Sequence, residues 1–264
     1  MLFRSRWWGI DPLQARYPNL SPYAFVENSP IILIDPDGRW GVSVHYSITY
    51  GQMQKVGFSD ISFIRKTAYM SSTYADMPPV AIARASYHLN YGWYGVHYGQ
   101  GPTANSQSEA ESYRHAMRSD AEAADGVTKQ QAINRGLDFA WNNILNAAAN
   151  GTAEDLGVGL HALQAVFAHQ GMSTNEHLGV NISSVKALMK DLGFLGSHDL
   201  NKANAATNNA LILFGLLTND QGVINKARNE SGQVNIDLRG ITTPESQSKI
   251  QEAIKGIENV SIQF

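Results

Sequence analysis

The stretch GLHALQAVFAHQG, residues 159–171, decides the reading of this chain. His161, Ala165 and His169 stand at i, i+4 and i+8. At about 100° per residue these positions drift only about 80° around a helix, so all three share one stripe. The two imidazoles face a common side but are two turns apart, roughly 12 Å along the axis, too far to share one ion. They can serve two neighbouring ions if the turn between them supplies a bridge. A carboxylate suits that place, because it binds two cations at about 2 Å each. The chain has Ala165 there instead. The plain alternative is two unrelated polar residues on one helix face.

Working outward, the residues around this helix read as a mainly α-helical body. His45 to Val56 carries an apolar pattern of helical spacing, and Ser59-Asp60 cap a following helix through Ala75. Further helices are predicted at 107–124, 128–149, 154–170, 183–192, 201–217 and 219–228. Ser106, Thr128 and Thr152 mark starts, Gly126 and Gly151 stops. Residues 85–105 are Tyr- and Gly-rich without a clear period and are expected to form a loop. At 230–264 the pattern changes to a β-α-β-like tail: a strand at 233–238, a helix opened by Thr243-Pro244-Glu245, and a strand at 260–264.

The first 40 residues differ again. They hold five of the nine prolines, and the turn signals Asn28-Ser29-Pro30 and Pro36-Asp37-Gly38 flank the apolar run Ile31 to Ile34. This segment reads as a small β-rich arm, leaving 41–264 as the principal domain.

Composition removes several chemistries. The chain has no cysteine, which excludes disulfides, thiolate zinc sites and cysteine nucleophiles. Any transition metal must be held by His, Asp and Glu. A formal charge of −3 gives no basic stripe for a phosphate backbone, although metal ions can bind phosphate in its place. No apolar run reaches the roughly 18 residues of a membrane span. The first residues have neither the apolar core nor the cleavage site of a signal peptide, so any export is expected to use another route. There is no G-x-S-x-G elbow and no P-loop.

Two resemblances add to this. The run from Asp11 to Arg39, including YPNLSPYAFVENSPIILIDPDGR, resembles the end of the core of RHS/YD-repeat polymorphic toxins. In that family a repeat shell precedes a variable C-terminal toxin, which implies delivery into a target cell by a specialised secretion system and a cognate immunity protein as partner. The second resemblance covers roughly residues 43–217. HYSITYGQMQKVGFS, SSTYADM, ESYRHAMRS and GLHALQAVFAHQG follow one another as ligand elements do in the zinc-dependent phospholipase C and P1-type nuclease family. It implies a helical bundle of that type with two or three zinc ions. The ligands carried over are His45, Asp76, His115, His161 and His169, with His177 and His198 as later candidates. The family's usual form is HxxQD, so Ala165 stands where the bridging aspartate belongs, through either a deliberate inactivating change or natural decay. The family's metal-binding N-terminal tryptophan and its last His-x-x-x-Glu spacing have no counterpart here.

The chemistry implied is phosphodiester hydrolysis by a multinuclear zinc site. Tyr91, Trp93 and Tyr94 are expected to contact substrate, since aromatic faces hold a choline headgroup or stack a base. The low basic charge favours phospholipid. The alternatives are a P1-type nuclease toxin, a helical binding domain that has lost its metal site, and a helical enzyme whose histidines act as acid and base.

Overall fold

The computed structural model describes residues 42–75, 84–88, 92–97, 103, 111–178 and 197–264, with the backbone alone for 42–43, 84–88, 92–97, 177–178 and 197–198. All of these lie within one unit, Asp37–Phe264. The arm expected at 1–40 and the helix expected at 183–192 lie outside the described residues.

The architecture is mainly α. Helix α1 (Val42–Val56) buries a stripe of His45, Ile48, Thr49, Met53 and Val56, so two polar side chains share its apolar face. Helix α2 (Ile61–Tyr69) starts where Asp60 accepts hydrogen bonds from Ser62 N and Phe63 N, at 2.8 and 3.1 Å. It ends in a π turn (Met70–Tyr74). There Ser71 Oγ and Ser72 Oγ each donate back to the Ala68 carbonyl, at 3.0 and 2.7 Å, competing with the backbone ladder and widening the turn.

The region expected to be one helix over 107–124 is broken. A 3₁₀ turn (Ser112–His115) is followed by Ala116 in the left-handed region, φ 54°, and then by the short α3 (Asp120–Ala124). Ser119, not Ser106, starts α3, through a capping box with Glu122. The expected loop at 85–105 contains an antiparallel hairpin, β1 (Arg84–His88) with β2 (Gly92–His97). Tyr87, Trp93, Tyr94 and Val96 are strand formers, and the irregular step between Ala85 and Tyr87 spoils the alternation that would have revealed them.

Helix α4 (Lys129–Asn150) begins with the Thr128/Gln131 capping box and stops at Gly151. Helix α5 (Ala153–His169) is buried on nearly every side, the mark of a central helix. It packs against α1, α2, α4 and α7 (Ser197–Leu217). Helix α8 (Gln221–Ala227) is capped by Asp220. The tail is β3 (Val234–Asp237), α9 (Pro244–Ala253) and β4 (Val260–Gln263), with the two strands parallel and Val234 opposite Val260. Its Val234, Ile236, Leu238, Ile241 and Ile250 join Leu160, Leu163 and Phe214 in one core, so the tail is part of the body. Trp141 Nε1 donates to the Ile241 carbonyl at 2.6 Å, and Thr243 donates to Asp138. No helix among the described residues is long and apolar enough to cross a membrane.

Candidate metal centre

Three close approaches place the histidines. Gly157 of α5 abuts the π turn so tightly that a Cβ there would lie 2.4 Å from Met70 Cβ and 2.8 Å from Ser71 N. Gly136 of α4 meets Ala116, just past the 3₁₀ turn; a Cβ on it would lie 2.7 Å from Ala116 Cβ. At the end of α5, Gln170 and Gly171 both adopt positive φ, 52° and 74°, and turn the chain alongside the Ala116 segment. Gly171 N donates to Ala116 O at 2.9 Å and Arg118 N to Met172 O at 3.0 Å. This pairing ties the residue after His115 to the residues after His169.

The outcome is a cluster of four buried imidazoles: His45 from α1, His115 from the 3₁₀ turn, and His161 and His169 from α5, each at most 1% exposed. The His45 and His161 ring centroids are 4.2 Å apart. His115 packs edge-on against His161 at 5.0 Å and against His169 at 5.6 Å. It therefore touches the rings on both sides of the α5 turn that carries Ala165, itself fully buried. Ile48, Ala168 and Ala203, with Val44, Phe167 and Leu200 beside them, form a small apolar cluster that fixes this end of α1 to α5 and α7.

Hydrogen-bond polarity defines the rings further. His161 Nδ1 lies 3.0 Å from the Ser71 carbonyl, which only accepts, so Nδ1 carries the proton. The His161 Nε2 lone pair then faces His115 Nε2 at 2.9 Å, so His115 is the donor across that gap. His45 Nδ1 lies 2.8 Å from Gln164 Oε1. Gln164 Nε2 donates to Thr49 Oγ1 at 3.0 Å and to Thr207 Oγ1 at 3.3 Å.

Fixing one imidazole nitrogen by a carbonyl or amide oxygen is the usual support for a metal-ligating histidine. Neutral imidazole is the ligating form. The donor set thus fits zinc in kind. Among the described residues, no three His, Asp or Glu side chains are already arranged around one point as a metal site. Of the positions expected to supply carboxylates, Asp76 lies outside the described residues and position 165 carries alanine.

The other expected residues are placed less fully. His177 lies on α6 (Thr174–Leu178) and His198 on α7, Trp93 and Tyr94 lie on β2, and the side chains of all four lie outside the described residues. Tyr91 lies outside the described residues altogether. Gln164, Ser71 and Thr207 were not picked out from sequence. Gln164 alone leaves a signal there, as an amide set between Leu163 and Ala165.

The ion pairs near the site serve to hold it. Burial pushes the Glu176 carboxyl up, but the Ser173 N–H and the Lys129 ammonium, 3.1 Å away, outweigh it and hold the group below its ordinary value. Asp120 is lowered against the same burial penalty, by hydrogen bonds from Asn175 N and the Ser173 and Thr174 hydroxyls. Both clamp the 173–176 turn beside α3.

The chain is thus a mainly helical protein with a buried histidine cluster at its centre. No family model, curated protein or solved structure matches it.

Proposed function

We propose that residues 41–264 form a zinc-dependent phosphodiesterase toxin domain, a helical bundle of the phospholipase C type borne by an RHS-type polymorphic toxin, and that Ala165 leaves this chain disabled. The observation that carries the reading is the burial of His45, His115, His161 and His169, from three separate elements, in mutual contact. A packing role alone favours apolar side chains in such a place, since each buried imidazole nitrogen needs a partner.

In this reading His45, His115, His161 and His169 hold the metal with Asp76, and His177 and His198 are later ligands. Zinc bound there supplies a water acidified towards neutrality and positive charge opposite the phosphoryl oxygens. The Ser71 carbonyl keeps the His161 Nδ1 proton in place, so that Nε2 presents its lone pair. The buried walls of α1, α5 and α7 exclude bulk water from the cluster. No protein nucleophile is needed, in keeping with a chain without cysteine. Phospholipid is the favoured substrate because the net charge of −3 offers little to a nucleic acid, with Tyr91, Trp93 and Tyr94 positioned in sequence to meet a choline headgroup. Delivery into a target cell and a cognate immunity protein belong to the same proposal.

The test is Ala165→Asp beside the parent chain, with zinc content by elemental mass spectrometry and hydrolysis of phosphatidylcholine vesicles, single-stranded DNA and RNA. Two or more zinc ions and lipid hydrolysis in the variant, with less of both in the parent, are expected. Nucleic-acid cleavage alone replaces the lipase reading with the nuclease one. A variant that folds yet binds no zinc refutes the metal site and leaves a binding domain.

A further inference from the structure

We infer that Gln164 is a positioning residue that fixes the tautomer of His45, a role that rests on the metal-site reading above. Its side chain is fully buried and reaches three elements at once: His45 and Thr49 on α1 and Thr207 on α7, from its own place on α5. Its contacts define its orientation. Ser71 Oγ lies within hydrogen-bond distance of both the Ala68 carbonyl, 3.0 Å, and Thr49 Oγ1, 2.8 Å. Ser71 donates, and Thr49 Oγ1 accepts from it. Thr49 Oγ1 also accepts from Gln164 Nε2, at 3.0 Å, as does Thr207 Oγ1, at 3.3 Å. The amide is thereby turned with Oε1 towards His45, and an oxygen at 2.8 Å from a ring nitrogen requires that nitrogen to carry hydrogen. His45 is thus held as the Nδ1–H form, with the lone pair on Nε2.

Two threonine hydroxyls thus orient the amide that selects which nitrogen of His45 can ligate. His161 is held in the same tautomer by a single bond to Ser71 O. Ser71 touches both arrangements, its carbonyl meeting His161 and its hydroxyl meeting Thr49. A filler role for Gln164 predicts no tautomer dependence at all.

The experiment is long-range ¹H–¹⁵N NMR on the full chain labelled in histidine, without metal, with His45 assigned through His45→Gln. In the parent, His45 is expected as the Nδ1–H form. Gln164→Met keeps the bulk and removes the amide oxygen, and should yield a mixture of tautomers. Thr49→Val/Thr207→Val retains Gln164 and most of the packing, removes both hydroxyl partners, and should do the same if Gln164→Met fails to fold. Gln164→Glu keeps an oxygen at His45 and should retain the Nδ1–H form. An Nε2–H ring in the parent overturns the inference, as does an Nδ1–H ring that persists in Gln164→Met or in the double valine variant. Titration with Zn²⁺ alone should show an affinity about 10- to 100-fold weaker in Gln164→Met than in the parent. Tautomer shifts in a chain that binds no zinc in any form refute the metal site while upholding the hydrogen-bond control.

Discussion

Replacing Gly157 by alanine tests the packing that assembles the site. The new Cβ would sit 2.4 Å from Met70 Cβ, 2.8 Å from Met70 C and 2.8 Å from Ser71 N. Carbon atoms settle about 3.5–4.0 Å apart, so α5 and the π turn must separate by about 1 Å. Two of the three clashing atoms are backbone and cannot rotate away. Overpacking of this kind costs up to about 3 kcal/mol, and the better helix propensity of alanine returns about 1 kcal/mol, a net loss of about 2 kcal/mol. For a chain of this size that lowers Tm by roughly 4–8 °C. Gly51, exposed on α1 with nothing within 4 Å of its built Cβ, is the matched control. Gly51→Ala carries the propensity gain without the clash and should raise stability by up to about 1 kcal/mol. Urea unfolding of both variants, followed by circular dichroism, measures the opposite signs. His161 lies one turn beyond Gly157, so the separation also draws its Nδ1 from the Ser71 carbonyl, and its ¹⁵N resonances should shift. A Gly157→Ala protein as stable as Gly51→Ala would refute the backbone contact and the siting of His161 built on it.

Trp141→Phe keeps the aromatic packing but leaves the Ile241 carbonyl without its donor and a void where the indole was, a loss of about 2–4 kcal/mol. Urea unfolding and limited proteolysis should show the tail loosening first; an unchanged midpoint would mean that the tail is held otherwise. Glu122 is held below the ordinary glutamate value, first by its hydrogen bond from Arg135, against partial burial, and also by the Ser119 N–H. A depressed carboxyl stabilises the fold above its unfolded value and loses that contribution as pH falls through the folded value. Glu122→Gln should therefore cost under about 1 kcal/mol at neutral pH and flatten the acid limb of the stability curve; an unaltered limb would remove Glu122 from the acid response.

Much of the helical order is legible because its signals are local. Asp60, Thr128 with Gln131, Gly151 and Pro244 each begin or end a helix through their own side chain or backbone freedom. The error at 107–124 has a different origin. ESYRHAMRSDAEAAD contains many helix formers, and although Ser119 with Glu122 signals a fresh start at α3, nothing within it announces that Ala116 turns left-handed. That conformation is imposed by Gly136 pressing on Ala116 and by the pairing with Gly171 and Met172, residues far along the chain. The same long-range contacts bring His115 across the α5 stripe. Thus the alignment of His161 with His169 could be read from periodicity, whereas the ring that joins them could not. Gln164 lies between these cases: visible as a buried amide, but with partners on α1 and α7 that only the tertiary structure supplies.

Charge explains why position 165 should matter so much under the proposed function. The four imidazoles contribute donors but no negative charge, and each is at most 1% exposed. Divalent ions placed there lose hydration, a cost of several kcal/mol for each buried charge unless an anion faces it. A carboxylate at position 165, in the turn spanned by His115, supplies that anion. The same carboxylate is a liability when metal is absent, since a fully buried acid must either stay protonated or pair with a protonated imidazole, and both carry a desolvation cost. The two states therefore favour opposite residues. In chelator, Ala165→Asp should unfold at lower temperature than the parent. At a zinc concentration about 100 times its dissociation constant, binding should return about 2.7 kcal/mol to the variant and reverse the order. Scanning calorimetry of both chains, with chelator and with zinc, measures this crossing without reference to any substrate. Parallel curves in the two conditions would mean that position 165 does not face the metal, and the stripe from His161 to His169 would lose its reading as a bridged pair of sites.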